Sequence, residues 1–434
     1  MSDRGYRRPR TLSPLREYLR DTFWFAPTVG LVCSFALWWG VSVLDTEIVT
    51  HLKDEQAYEE VGDLIRFADD ARTIVTTVSS AMMTFIGVVF SISLVAVQMA
   101  SGQLTPRVVR IFVRSRISKM TLTVFLATFS FSLLVLTSYE SGSDPRRVTS
   151  VPILQSMLTL AMVGLSLLLF IAYVSSTLRL MQVGPVVDRI THESLQVLSR
   201  MPGGVREELP LGEETARIGY SGRAGVLREV NVARLVRAAR RHGVVLRLIP
   251  RIGDFVVPGT PLLAVHGGAA PPPRMPRYTI SVGVERTAQQ DLAFGLRQLS
   301  DIALRALSPA VNDPTTAVQC LDRIVQLLAA MVHLPLGAVL HRDGAGAVRL
   351  VQNGPEWTDL VDLAFEEIRW CAARSPQVSR RMLAGIDDVV ALAPEDRKGT
   401  LVRHRELLVK AVERTVPDVT EREFALVPDR QGIK

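Results

Sequence analysis

The stretch Ile74–Ala100, IVTTVSSAMMTFIGVVFSISLVAVQMA, decides the fold because it contains no charged side chain. As an α-helix, at about 1.5 Å per residue, it is about 40 Å long, which is enough to cross a hydrocarbon core of about 30 Å. In lipid the segment must be helical, since only a helix satisfies its own backbone donors and acceptors. The stretch predicts a membrane protein, without saying whether anything crosses the membrane.

The polar residues of this helix recur at steps of three, four or seven, so they share one face: Thr77, Ser80, Thr84, Gly87, Ser91 and Gln98. Small and hydroxylated residues let membrane helices pack closely, which is the ordinary explanation of such a face. The alternative is that identical subunits gather these helices around an axis and line a narrow aqueous path. Gln98, the largest polar group near one end, is then the best candidate for a constriction.

Three further apolar runs predict three more spans, at Thr22–Leu44, Met120–Ser138 and Val151–Thr177. None of the four runs contains a charged residue, which argues against a proton-coupled pump or a voltage sensor. We therefore expect a four-helix transmembrane domain over residues 22–180, preceded by a basic arm at 1–21.

The distribution of basic residues predicts the orientation of these spans. Segments 1–21 and 101–119 carry eleven Lys and Arg, whereas segments 45–73 and 139–150 carry five. By the positive-inside rule both termini are cytoplasmic, which suits a multi-pass protein of a bacterial inner membrane. The arginines are also expected to contact anionic lipid. The nine acidic residues of segment 45–73 would concentrate cations at one mouth of a pore.

Composition excludes several other classes of protein. The net charge of +7 comes from topology and not from one basic patch, so no nucleic acid partner is expected. The three cysteines lie far apart, and the histidines show no metal-ligand spacing, so neither a disulfide framework nor a metal site is indicated. No nucleotide-binding, hydrolase or metalloprotease motif is present, which leaves an enzyme as the third choice, with no catalytic residues and no cofactor.

The remaining chain predicts an α+β cytoplasmic region in two parts. Residues 181–276 are expected to form a small β-containing unit with a strand over 220–230, followed by a stiff linker over 269–276. Its stretch Arg251–Leu263, RIGDFVVPGTPLL, resembles the hairpins of biotinyl and lipoyl barrel-sandwich domains, with turns at Gly253-Asp254 and Pro258-Gly259. A carrier needs a lysine, and none lies between Lys119 and Lys398, so a structural module is expected.

Residues 277–434 are expected to be helical, ending in a frayed segment from Glu421. The spacing predicts a helix over 287–307, opened by a capping box of Thr287 and Gln290. After a turn, Asp313 is expected to cap a second helix that has Pro314 at its first position and runs to about Met331. Three more helices are expected at 356–374, 378–393 and 397–415.

Three stretches together resemble a bacterial family of uncharacterised integral membrane proteins: Gly87–Phe112, Gly253–Leu262, and Val282–Asp322 with its ALSPAVNDPTTA segment. The resemblance implies the topology given above and supplies no catalytic residues. Within these stretches the pairs Glu285-Arg286 and Asn312-Asp313 are candidates for a ligand site, because a helix N-terminus attracts anions. Structural capping by Asp313 is the competing interpretation.

The function expected from these patterns is a homo-oligomeric ion channel or pore whose cytoplasmic domain gates or filters. The alternative is a membrane-anchored scaffold or sensor whose cytoplasmic domain binds a partner or a small ligand. A pore requires closed rotational symmetry with the second span near the axis, whereas a scaffold has no such requirement.

Overall fold

The computed structural model describes residues 24–103, 116–139, 148, 150–201, 204 and 211–432. Within them the chain forms two compact units, one containing the four apolar helices and the other all later elements. The predicted basic arm at 1–21 and most of the basic segment 101–119 lie outside the described residues.

The first unit contains four helices that are long and apolar enough to cross a membrane, α1 (Phe25–Asp54), α2 (Tyr58–Gln103), α3 (Arg116–Leu136) and α4 (Ile153–Met181). The four predicted spans are thus confirmed as helices. Helices α1 and α2 continue well beyond the apolar runs, and they are joined by a tight turn in which Gln56 has a φ of 59°. The acidic segment 45–73 therefore prolongs two helices at one end of the bundle, which we call the acidic end.

Close packing inside this unit depends on a small residue in α1 and on aromatic rings. A Cβ on Gly30 would lie 2.5 Å from Cγ2 of Thr123, so glycine lets α1 and α3 approach closely. The ring of Phe85 in α2 packs at an angle to those of Phe125 in α3 and Phe170 in α4, with centroids 6.1 and 5.7 Å apart. These rings join three of the helices across the middle of the bundle.

The second unit begins with α5 (Val183–Arg200) and a compact β-containing region. Its elements are β1 (Glu214–Gly219), β2 (Gly225–Val230), α6 (Val232–His242), β3 (Val245–Leu248), β4 (Phe255–Val256), β5 (Pro261–His266), α7 (Pro276–Thr279) and β6 (Ile280–Gly283). The strand predicted over residues 220–230 is confirmed for residues 225–230, which form β2, but not for residues 220–224. Tyr220 closes the turn before β2, where its hydroxyl donates to the carbonyl oxygen of Arg223 at 2.7 Å.

The strands form two small sheets around one apolar core. The larger has the order β1-β5-β3-β8-β7, in which β7 (Val339–Arg342) and β8 (Val348–Gln352) come from later in the chain, and the smaller has the order β4-β2-β6. Fully buried side chains from both, such as Leu227, Leu246 and Leu263, pack together. The predicted turns are confirmed, since Gly253 and Gly259 have φ angles of 98° and 93°, which favour glycine.

Helices make up most of the remaining chain, together with one hairpin: α8 (Leu292–Ala306), α9 (Pro314–Met331), β7 (Val339–Arg342), β8 (Val348–Gln352), α10 (Trp357–Ala372), α11 (Pro376–Leu392), α12 (Glu395–Thr415) and α13 (Val419–Leu426). The hairpin lies in a stretch that the sequence predicts to be helical. Its strand β8 runs parallel to β3, with Leu350 beside Leu246, and so extends the larger sheet.

Two sequence predictions in this region are wrong. Helix α8 begins at Leu292 after Asp291, not at a capping box of Thr287, because both amide atoms of Gln290 bind the backbone of Val230 at 3.0 and 3.1 Å. The C-terminal segment is not frayed. Arg380 lies over the ring of Phe424 at 4.1 Å and donates to the carbonyl oxygen of Val427, which holds α13 against α11.

Candidate functional sites

All six candidate pore residues lie on a face of α2 that points out of its own bundle. Each of them is exposed in the single chain: Thr77, Ser80, Thr84, Gly87, Ser91 and Gln98. At about 100° per residue they fall within about 80° of one another around the helix. We call this set the polar face of α2.

The opposite side of α2 packs against the other helices of the same chain. Its buried residues follow a seven-residue repeat through Val61, Ala68, Val75, Met82, Val89 and Ala96. Two positions separate this repeat from the one at 77, 84, 91 and 98, a rotation of about 200°. Helix α2 therefore carries two seams of heptad spacing on opposite sides, and one chain covers only the apolar seam.

Two hydroxyl groups of the polar face are satisfied within α2 itself. Thr77 and Ser80 donate to the carbonyl oxygens of Thr73 and Thr76, at 2.9 and 3.2 Å. A hydroxyl bonded in this way is tolerated against lipid. The larger amide of Gln98 is the most expensive member of the face to leave in hydrocarbon.

A second set of polar residues, which the sequence interpretation overlooks, lies inside the bundle. Ser79 of α2 donates to Ser132 of α3 at 2.8 Å, and Thr128 and Ser166 bond across α3 and α4 at 3.1 Å. On α3 these residues belong to a buried set at helical spacing: Ser118, Thr121, Phe125, Thr128, Ser132 and Val135. That spacing is visible in the sequence and was the signal available to find them. We call these buried hydroxyls the interior polar column.

The acidic residues of the extended α2 are exposed. Asp70 and Asp63 lie one and two heptads before Thr77, on the same side of the helix. Asp63 pairs with Arg66, at 3.4 Å, in an exposed contact three residues away. The polar face thus continues into carboxylates at the acidic end.

Asn312 and Asp313 form the joint between α8 and α9. The Asp313 carboxylate accepts the backbone N–H of Thr316 at 3.1 Å and its hydroxyl at 2.5 Å, so the predicted N-cap is confirmed. Asn312 adopts a left-handed conformation with φ of 46°, which asparagine tolerates better than most residues. Both residues are occupied in ending one helix and starting the next.

Arg286 forms a buried ion pair at the other end of α8. Its Nε and Nη2 donate to the two carboxylate oxygens of Asp291 at 2.8 and 3.0 Å, and its guanidinium lies over the ring of Phe294. Only 3% of the Asp291 side chain is exposed. Burial raises the pKa of Asp291, while Arg286 acts in the opposite direction.

The turn at Gly253 packs directly against this ion pair. A Cβ there would lie 2.7 Å from Oδ2 of Asp291 and 2.8 Å from Nε of Arg286. Two of the stretches that carry the family resemblance, Gly253–Leu262 and Val282–Asp322, therefore meet at this point. The sequence does not bring them together, because they are separated by the linker and β6.

The structure separates the two candidate pairs. Glu285-Arg286 precedes α8 and Asn312-Asp313 follows it, and fifteen helical residues, about 21 Å, lie between them. Arg286 instead borders a cavity of about 400 Å³ together with Arg251, Asp254, Asp291 and Asp359. Arg251 and Asp359 form an ion pair at 2.5 Å on its wall. A cavity of this size and polarity suits a small polar ligand.

One wall of this cavity is backed by a buried histidine. Asp362 lines the cavity and binds Nε2 of His404 at 2.8 Å, while Nδ1 of His404 lies 3.8 Å from Glu366. Burial lowers the pKa of His404, and the neighbouring carboxylates partly oppose this. Among the described residues no cluster of His, Cys, Asp and Glu is arranged to hold a metal ion.

These features define a class of protein, namely a membrane protein in which four apolar helices precede an α+β unit of small sheets and packed helices. The chain belongs to the DUF2254 family, described as "Predicted membrane protein", whose profile matches residues 20–388. It is similar to "Uncharacterized protein Rv1290c" of Mycobacterium tuberculosis (strain ATCC 25618 / H37Rv) and "Uncharacterized protein Mb1321c" of Mycobacterium bovis (strain ATCC BAA-935 / AF2122/97). Each is 26% identical over 433 residues, covering 94% of this chain and 80% of the relative. No solved structure matches the chain.

Proposed function

We propose that the protein is a homo-oligomeric ion channel or pore whose wall is the polar face of α2. The observation that carries this proposal is the exposure of that face on the side of α2 opposite to its own bundle. A face in contact with lipid would be expected to carry apolar residues, whereas small and polar residues suit contact with a neighbouring helix or with water.

The periodicity of the face supports a symmetric assembly. Positions 77, 84, 91 and 98 repeat every seven residues, the spacing that keeps one seam of a helix facing its neighbours in a left-handed supercoil. In a ring of identical subunits, each subunit turns the same face towards the rotation axis and binds its two neighbours through two different, complementary surfaces. Gln98 would then form the narrowest ring, with Asp70 and Asp63 at the opposite mouth attracting cations.

The proposal includes an orientation. Both termini are placed in the cytoplasm of a bacterium, with the protein in the inner membrane and its basic segments against anionic lipid, as the distribution of Lys and Arg indicates. Reporter fusions at residues 60, 145 and 434 test this orientation. An external signal at 434, or a cytoplasmic signal at 60, contradicts it.

Cysteine cross-linking tests the assembly. Ser91→Cys, in a chain whose Cys33, Cys320 and Cys371 have been replaced, should form disulfide-linked dimers in the membrane upon mild oxidation. Phe90→Cys is the matched control, since it is exposed, adjacent in sequence and rotated by about 100° from Ser91. Equal cross-linking at both positions, or no cross-linking at position 91, would contradict the proposed assembly.

Ion flux tests the pore itself. Reaction of a water-soluble thiol reagent with Ser91→Cys should reduce cation flux in liposomes, because the adduct narrows the path, while Phe90→Cys should be unaffected. Well-formed oligomers with unreactive thiols at 91 and no flux would instead support helix packing and eliminate the channel.

The alternative is a membrane-anchored scaffold or sensor without a catalytic role, and the cavity beside Arg286 favours it. If that cavity binds a regulatory ligand, occupation should slow hydrogen exchange in the cavity-lining segment from Arg251 to Asp254. A small-molecule panel that protects this segment in a monomeric protein would favour the sensor over the pore.

A further inference from the structure

Asp45 is a buried carboxylate that joins two helices at the acidic end of the first unit. It lies within α1, and 1% of its surface is exposed. Its Oδ1 accepts the backbone N–H of Leu154 at 2.9 Å, and its Oδ2 accepts that of Gln155 at 3.3 Å. The carboxylate thereby occupies the first turn of α4 from a neighbouring helix.

The charge of Asp45 has no close cationic partner in the described part of the chain. No Lys or Arg nitrogen there forms an ion pair with it. Arg72 belongs to the same end, but its guanidinium stacks over the ring of Tyr139 at 5.8 Å. The amides and the N-terminal dipole of α4 stabilise this carboxylate, and no charged side chain of the described residues neutralises it.

Gln155 provides an independent sign that something is bound here. Its side chain is fully buried, and neither Oε1 nor Nε2 has a hydrogen-bond partner. The hydroxyl of nearby Ser150 is likewise buried and without a partner. Each unpaired buried polar group costs about 1–3 kcal/mol, so groups of this kind normally surround a bound water or ion.

We propose that a monovalent metal cation binds between the carboxylate of Asp45 and the side-chain oxygen of Gln155. The available donors are all oxygen atoms, which hard cations prefer. The site holds one negative charge, so a monovalent ion neutralises it, whereas a divalent ion would leave a buried positive charge. Each carboxylate oxygen retains a lone pair after accepting its amide proton.

Cation binding has a structural consequence that does not depend on the pore. The site ties α1 to the first turn of α4. Occupation of the site should therefore stabilise the first unit, and the concentration of the ion should set how firmly the two helices are held.

The experiment measures thermal unfolding of the full chain in nanodiscs by tryptophan fluorescence. Trp38 reports on this end, since its Nε1 donates to Ser138 at 3.0 Å. Titrations with NaCl and KCl are compared with choline chloride at equal ionic strength. We expect a saturable rise in Tm of about 5 °C at about 100 times the Kd for one of the metal ions, and none with choline.

Two variants make the result specific. Gln155→Leu removes a ligand while leaving the backbone bonds of Asp45 in place, and it should abolish the metal-dependent rise in Tm. Asp54→Asn removes an exposed charge from the same helix and should respond like the natural protein. Binding of radioactive sodium or of the potassium analogue rubidium, lost only in Gln155→Leu, is the second readout.

Three outcomes overturn the proposal. Equal responses to choline and metal ions indicate general ionic strength effects. An unchanged response in Gln155→Leu places the ion elsewhere. A Tm that is insensitive to all three salts means that water fills the site or that Asp45 is protonated, and a Tm that rises as the pH falls identifies protonation.

Discussion

Replacement of Arg286 by leucine should destabilise the second unit strongly, because it leaves the Asp291 carboxylate buried without its partner. The pair has two hydrogen bonds of 2.8 and 3.0 Å, and 3% of the Asp291 side chain is exposed. Breaking a buried pair from one side typically costs about 3–5 kcal/mol. Arg286 is partly exposed, so we expect the lower end, about 3 kcal/mol at pH 7.

The pH dependence of this loss follows from the pKa of Asp291. Burial already raises that pKa, and loss of Arg286 removes the largest opposing effect. The pKa of Asp291 in folded Arg286→Leu then lies above its unfolded value, so the folded state binds the proton more tightly. The variant should regain stability relative to the natural chain as the pH falls from 7 to 5.

Urea unfolding of residues 183–434, followed by circular dichroism, measures these free energies. The double variant Arg286→Leu/Asp291→Leu should be more stable than Arg286→Leu, because no buried charge is left. Arg323→Leu breaks an exposed pair with Asp188 and serves as the control, with an expected loss of about 0–1 kcal/mol. If Arg286→Leu costs no more than this control, or if the double variant is no better than the single one, the ion pair is not the joint described above.

Three further predictions concern the same unit. Asp313→Ala should cost about 0.5–2 kcal/mol in urea unfolding through loss of the N-cap of α9, and an unchanged midpoint would contradict that role. Gly253→Ala should destabilise more than Gly259→Ala, since both have positive φ but only the first meets the buried ion pair; equal Tm losses would refute the contact. The pKa of folded His404 is lowered, so its protonation opposes folding and stability is lost as the pH falls below about 6.5. His404→Gln should reduce the loss between pH 7 and 5, and an unchanged slope would exclude this histidine.

Local patterns predicted those parts of the fold whose cause is local. The charge-free run from Ile74 predicts a helix by itself, and the Asp313-Pro314 dipeptide predicts both the cap and the start of α9. Strand β8 could not be found in this way. It forms because Leu350 pairs with Leu246, about a hundred residues earlier in the chain. The residues next to β8 in the sequence do not indicate that partner.

The same distinction between local and distant causes applies to the candidate sites. The periodicity of α2 correctly grouped six residues on one face, but it could not tell whether the bundle covers that face. The position of Arg286 before a helix makes it a candidate, and its ion-pair partner Asp291 is only five residues away. The turn at Gly253, however, reaches this pair only through the packing of a distant segment. The apolar run predicts that the first span ends at Leu44, whereas the helix continues to Asp54 and buries Asp45.

The unbroken length of α2 allows a small tilt at one end of the helix to produce a large displacement at the other. Its 46 residues run without interruption for about 69 Å, whereas a bilayer with its headgroups is about 40–45 Å thick. A rigid rod of this length that tilts by about 10° about one end moves its other end by about 12 Å. A tilt of α2 about its acidic end would therefore displace Gln98, about 60 Å away along the helix, by about 10 Å.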